Sequence, residues 1–467
     1  MKRFFAILLC LALVLGLCAC GNNGEAETQP PAPQGLQIGY SKQNVTPDYD
    51  VGLGGFSNQD TRISEGLVSY IYLTCIAATD GDETILMFTM DNCHFTQNLA
   101  DQIRSRITSE CGIPGEKIFC GATHTHSAPA SSGGAQTIKR YKSELTEAAL
   151  TAAKEALADR APAKMLSATK EVEGMTFVRH YVMDDGSYAG SNFGDMSKKT
   201  AVGHATDADN RLVVVKFDRE DDKKDVLLVN WQAHPARATE IGYNNISADF
   251  PGYLRDEVEM QTGMLCAYFN GASGNQNQDS QIDSEKHKLT YEEYGIKMAG
   301  HVIEALPELK EIGGSGIKTT HETFVGNVDH SWDGFITQAE EVVALCEKDK
   351  TAGKQLGYGY GFSSHLHAKS IITRAGLGLT KNLEMYAFRI GDLGFISESY
   401  EMFSDAGIYI RANSPFETTI IISGNHDYIA SAEAFDYRSY EADCGMFERG
   451  TAEKLAEKFV EMLKNVK

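Results

Sequence analysis

Apolar, β-branched runs recur at residues 69–77 (SYIYLTCIA), 84–90 (TILMFTM), 117–122 (KIFCGA), 211–217 (RLVVVKF), 225–231 (DVLLVNW), 264–269 (MLCAYF) and 418–424 (TTIIISG). Bounded by polar turns, each predicts a strand. Helical patterns lie between them. The clearest are 141–162 (YKSELTEAALTAAKEALADRAP), Ala-rich and ended by Pro162, and the terminal 450–467 (GTAEKLAEKFVEMLKNVK). Strands interleaved with helices imply an α/β domain, with a mixed α+β arrangement as the variant.

The residues that follow these strands change the picture. THTH follows KIFCGA, QAHPAR follows DVLLVNW, SESYE follows LGFI, and NHDY follows TTIIISG. Ligand-type side chains therefore recur where an apolar run gives way to a loop, and in open α/β sheets sites form outside the carboxyl ends of strands. His124 and His126, two apart in an extended segment, point to the same side. The pattern leaves two accounts open: a metal site, or histidines hydrogen-bonded in the core.

Residues 1–20 (MKRFFAILLCLALVLGLCAC) join a basic start, an apolar stretch shorter than a bilayer-spanning helix needs and small residues before Cys20. LCAC resembles a bacterial lipobox. Residues 1–20 then form a lipoprotein signal peptide, and the mature chain is exported and anchored to the bacterial cell membrane through lipidated Cys20, facing away from the cytoplasm. An ordinary cleaved signal or a short anchor helix is the alternative. Residues 21–35, polar and Pro/Gly-rich, read as a disordered tether, and 36–467 as one large domain.

With 43 Lys and Arg against 64 Asp and Glu, the formal net charge is −21. No basic stripe offsets it, which disfavours nucleic acid as a partner. Three of the ten cysteines fall in the first twenty residues, and the remaining seven are scattered without CxxC spacing. They read mostly as small buried hydrophobes rather than as disulfides or a zinc–thiolate knot. GNHDY at 424–428 looks like a metal motif of calcineurin-like phosphoesterases, but His426 is the last histidine of the chain and that family needs others downstream. A second HxH, His365 and His367, lies in the Gly/Ser-rich GYGYGFSSHLHAKS and reads as surface histidines or part of a flexible loop near substrate. Asp249 reads as the N-cap of a helix that Pro251 helps begin.

NVTP near the start, then ATHTHSAP, VNWQAHPAR, SADFPGY, FNGASGNQNQ, SYEMFSDAG and YIASAEAFDYRSYE occur in the order of motifs in the catalytic domain of neutral (non-lysosomal) ceramidases. The chain resembles that family from about residue 36 to its end. The resemblance implies one zinc ion held by His124, His234, Glu401 and Tyr428. Glu401 is preferred because it precedes Gly407 by six positions, and Glu398 is the alternative. It also implies contacts to substrate or to its developing charge from His126, Arg179 and Tyr440. Two departures bear on substrate. The family's reactive Ser falls here on Asn277, and the family's C-terminal immunoglobulin-like domain has no counterpart before the sequence ends.

The expectation is thus a zinc-dependent hydrolase of an amide (N-acyl) bond, in which metal-activated water attacks the carbonyl of a small-molecule or lipid-like substrate that need not be ceramide. The competing expectation is a lipid-anchored solute-binding or metal-binding protein without turnover.

Overall fold

The apolar runs fold as strands with both faces covered. The computed structural model describes residues 35–467 apart from 57, 198, 283–287 and 425. Strands β1 (Leu36–Asn44), β2 (Tyr72–Asp80), β3 (Glu83–Met90), β4 (Ile118–Ala122), β5 (Ala161–Glu171), β6 (Arg211–Arg219), β7 (Val226–Trp231) and β8 (Leu265–Asn270) share one sheet in the order β8-β7-β6-β5-β1-β2-β3-β4. Neighbours are antiparallel except at the two ends, where β3 and β4, and again β7 and β8, run parallel. A second sheet takes β9 (Ile317–Asn327), β10 (Thr380–Ile390), β11 (Leu393–Glu398) and β12 (Thr418–Ser423) in that order, its last pair also parallel.

Alternation along each strand divides its side chains between two cores. On β2, Leu73, Cys75 and Ala77 pack with α1 (Gln97–Cys111) and α2 (Gln136–Ala158), whereas Ile76 and Ala78 belong to the core between the sheets. There Phe119, Phe388 and Phe395 stack with ring centroids 3.9 and 4.5 Å apart. Each such buried ring contributes about 1.5–3 kcal/mol. Helices α3 (Asp249–Thr262) and α4 (Tyr291–Ala305) cover the other half of the large sheet. Between β9 and β10 the chain makes a helical excursion, α5 (Ile336–Lys348), α6 (Lys350–Gly359) and α7 (His365–Ala375), with a small core of its own at Val342, Phe362, Ala368 and Ile371. The outer face of the second sheet is closed by α8 (Ser404–Asn413) and α9 (Thr451–Val466), the latter through Leu455, Phe459, Met462, Leu463 and Val466 at helical spacing. The layers run helix, sheet, sheet, helix.

Three sheet edges meet. β4 and β8, the borders of the large sheet, pack against each other and against β12, the border of the second. A Cβ at Gly121 of β4 would stand 2.7 Å from Ile422 Cγ2, so glycine is what lets β12 come this close. Asn230 of β7 ties the junction: its amide nitrogen donates to Phe269 O and Ile421 O, both at 2.9 Å, and its amide oxygen accepts from Arg411 Nη2 at 2.8 Å.

Two local expectations change. The helix expected over 141–162 begins at Gln136 and ends at Ala158, and Pro162 lies inside β5. The chain turns at Asp159 because its carboxylate accepts from Tyr40 N, Arg219 and Lys223. Asp249 is the first helical residue of α3, and its N-cap position belongs to Ala248. With a φ of 54°, Asp249 turns its carboxylate onto the N–H groups of Arg237 and Phe250, bracing the loop after β7. All seven cysteines among the described residues are free, four of them buried. The described residues form one compact unit. The signal peptide and tether expected at 1–20 and 21–35 lie, Gly35 excepted, outside the described residues.

Candidate functional site

Beyond Ala122, the last residue of β4, His124 takes a φ of 71°, a left-handed conformation that costs a non-glycine residue about 1–3 kcal/mol. Its backbone is pinned by His124 N donating to Asn92 O at 2.9 Å and Thr123 N to Met90 O at 2.8 Å. So held, the ring meets Cys93 O through Nδ1 at 2.7 Å. His234, after β7, meets Ser273 O through Nδ1 at 2.9 Å. A nitrogen that donates to a carbonyl carries the hydrogen, which leaves Nε2 of both rings bare.

Those two bare nitrogens, 110 residues apart in sequence, lie 2.9 Å from each other. Neither has a hydrogen to offer, so a shared cation suits the pair better than a hydrogen bond does. Glu401 Oε2 lies 3.6 Å from each of them, buried and without a hydrogen-bond partner among the described residues. Burial pushes the Glu401 carboxyl up to about 8, against the lowering influence of Arg179 and the Tyr428 hydroxyl. Burial likewise holds His124 down at about 3 and His234 well below the ordinary imidazole value, which keeps both rings neutral. His126 is neutral for the same reason, and its Nε2 lies 3.3 Å from His124 Nε2. Two or three imidazoles and a carboxylate converging on one point are the donor set of a divalent transition ion. A buried His124/His126/His234 group that could hold a metal is therefore part of the fold.

A second donor cluster, Cys93, His94 and His124, is the weaker candidate. His124 Nδ1 is already committed to a carbonyl, and burial keeps the Cys93 thiol protonated.

Glu401 and Tyr428 are register partners in a short parallel pairing beyond β11 and β12. This places the tyrosine beside the carboxylate. Arg179 Nη2 donates to the Tyr428 hydroxyl at 3.3 Å and to Gly274 O at 2.9 Å, while its Nε donates to Glu441 Oε1 at 2.7 Å. Glu441 also accepts from His180 Nε2 at 2.8 Å. Burial opposes ionisation of Glu441, but Arg179 and His180 together bring it down to about 2. Tyr440 has its ring 5.9 Å from that of Tyr428. Glu398 lies outside this group: it is buried beneath Tyr400, whose N–H it accepts.

All seven residues singled out in the sequence, His124, His126, Arg179, His234, Glu401, Tyr428 and Tyr440, line one cavity of about 980 Å³. Asn277 lines it too, adjoining His234 through a backbone bridge, so an amide stands where the family's hydroxyl would be. Ser273 orients His234 with its carbonyl, and its hydroxyl accepts from Asn270. His365 and His367 depart from the loop or surface expectation. Ser364 caps α7, which carries both; His365 faces the cavity, and His367 is buried against Trp332 with Nδ1 3.3 Å from Asp443. His426 also lines the cavity, its ring 5.6 Å from that of His94. The sequence reading missed Glu441 and His180, although both adjoin residues it did single out, Tyr440 and Arg179. Of the wall contributed by α5–α7 it singled out only the His365 and His367 pair, as surface histidines or a loop near substrate.

No protein-family model and no curated protein matches the chain. Solved structures do. One is the neutral ceramidase from Pseudomonas aeruginosa, with a TM-score of 0.69 at 14% identity over 92% of this chain and 74% of that one. Another is a ceramidase complexed with C2, with a TM-score of 0.66 at 15% identity over 92% and 75% of the two chains. The fold of this chain is neutral ceramidase-like.

Proposed function

We propose that this chain is a metal-dependent hydrolase of amide (N-acyl) bonds, with zinc held by His124, His234, Glu401 and Tyr428. One observation carries the reading: the bare Nε2 atoms of His124 and His234 at 2.9 Å, with an unpartnered carboxylate oxygen 3.6 Å from both. The ceramidase-like fold supports an amide as substrate class. Zinc bound there would supply a Lewis acid and a water that ionises near neutral pH.

The chain's own groups divide the remaining work. Cys93 O and Ser273 O fix which nitrogen of each imidazole is free. Arg179, neutralised by Glu441, holds the Tyr428 hydroxyl in place. Tyr440 keeps its proton at neutral pH because burial raises its hydroxyl, and the neutral His126 ring retains a single N–H. They are thus donors available to an oxyanion or to a leaving amine. From residues 1–20 we also propose export and lipid anchoring through Cys20.

Elemental analysis of the purified domain, wild type beside His124→Ala, tests the centre, followed by hydrolysis of N-acyl amides including ceramide. About one zinc per wild-type chain, absent from the variant, with amide turnover, is the expected result. Bound metal without turnover of any amide would favour a binding protein, and no metal in either would end the hydrolase reading.

A further inference from the structure

The cavity has two unlike ends. The inner end carries the imidazoles and Glu401, and its one guanidinium, Arg179, is committed to Glu441, Gly274 O and Tyr428. The outer wall is made by α5–α7, which contribute Lys350, Lys354 and Lys369 against a single carboxylate, Glu347. None of the three ammonium groups forms an ion pair among the described residues. They converge closely enough that all three hold the half-buried His365 below its ordinary value, after burial itself. His365 Nδ1 is buried and has no hydrogen-bond partner among the described residues. In a chain with net charge −21, this wall is a local excess of positive charge facing the cavity that holds the candidate centre. Apolar lining from Val343 and Leu366 accompanies it.

We propose that the substrate carries an anionic group, a carboxylate, phosphate or sulfonate, that is received by Lys350, Lys354 and Lys369 while its amide lies at the inner end. This deepens the hydrolase reading and rests on it for the word substrate. Three flexible ammonium groups receive an anion of varied geometry, as point charges rather than as a fixed fork. An exposed cluster of this kind acts mainly on capture, with a contribution that falls as salt rises. The anion belongs to a soluble ligand rather than to a lipid surface, because the lysines line the same cavity as the imidazoles.

The experiment compares substrates matched in length and differing in charge. One pair varies the amine side, N-lauroylglycine against N-lauroylethanolamine, and one varies the acyl side, glutaryl against valeryl p-nitroanilide. Wild type should prefer the anionic member of at least one pair by tenfold or more in kcat/KM. Lys350→Gln/Lys354→Gln/Lys369→Gln should bring that ratio toward one, and so should raised salt on the wild type. Calorimetric binding of the first pair to metal-free protein repeats the test without turnover. A lysine-dependent preference in binding with no hydrolysis of either compound keeps the anion site and ends the hydrolase reading. Hydrolysis without charge preference keeps the enzyme and overturns the anion site. Lysine-dependent binding to phosphatidylglycerol vesicles, without preference among the soluble ligands, would also overturn it, and so would no lysine-dependent effect at all.

Discussion

The two ends of the cavity are built by opposite strategies. At the inner end His124, His234, Glu401 and Tyr428 hang from the C-terminal sides of four strands in two sheets, each ring or carboxylate fixed by carbonyls, a neighbouring strand or a buried ion pair. The outer wall comes from one continuous stretch, α5–α7, whose lysines are exposed or half-buried and whose core is a small satellite of its own. Geometry is set by distant parts of the chain, and charge by a local insertion. The first is the arrangement that chemistry at fixed distances needs. The second can change without disturbing it.

The comparison breaks most severely if an inner histidine proves replaceable. His234→Ala should remove the metal and lower turnover by at least about 10³-fold, the range in which loss of an essential catalytic group falls; metal content and kcat measured together decide it. Glu441→Gln comes next. It leaves Arg179 buried and without its charged partner, a change that costs about 3–5 kcal/mol when one member of a buried pair is removed. The expected result is a lower Tm with metal still bound, and a fall in kcat larger than the change in KM. Gly121→Ala tests whether the meeting of sheet edges sets the inner geometry. Overpacking against Ile422 should cost about 1–3 kcal/mol in denaturant unfolding and weaken metal affinity, while a change confined to the outer wall should do neither.

The smallest effect concerns Glu398. Burial raises its folded-state pKa to about 8 from an ordinary 4.5, so the folded chain keeps a proton that the unfolded chain releases. Its contribution is therefore favourable at low pH, declines as pH rises from about 4.5, and levels off above about 8. Glu398→Gln, unable to ionise, should flatten that slope, so its stability relative to wild type rises between pH 5 and pH 8.5. Urea unfolding at the two pH values reads it directly.

Much of the inner end was legible because strand-end polar residues interrupt long apolar runs. THTH and QAHPAR announce themselves as soon as the strands before them are found. What the sequence concealed was partnership. Glu441 and His180 carry no pattern of their own, and only the folded chain shows that one neutralises Arg179 and the other orients the first. The half-exposed strands β5 and β9 escaped because their lysines and threonines break the apolar run. The second HxH misled in a different way: a Gly/Ser-rich neighbourhood suggests a loop, yet Ser364 converts that composition into a helix cap and carries His367 into the satellite core.

The meeting of β4, β8 and β12 also governs how the molecule is made. Those strands close the two borders of one sheet onto a third border that is the last of them in sequence, so the donor set cannot exist until loops spanning most of the domain have closed. A metal ion can then stabilise the finished protein by mass action, yet it has nothing to grip in the early chain. In contrast to a zinc knot, whose ligands lie close enough in sequence to fold around the ion, a metal held by His124 and His234 would be acquired after folding.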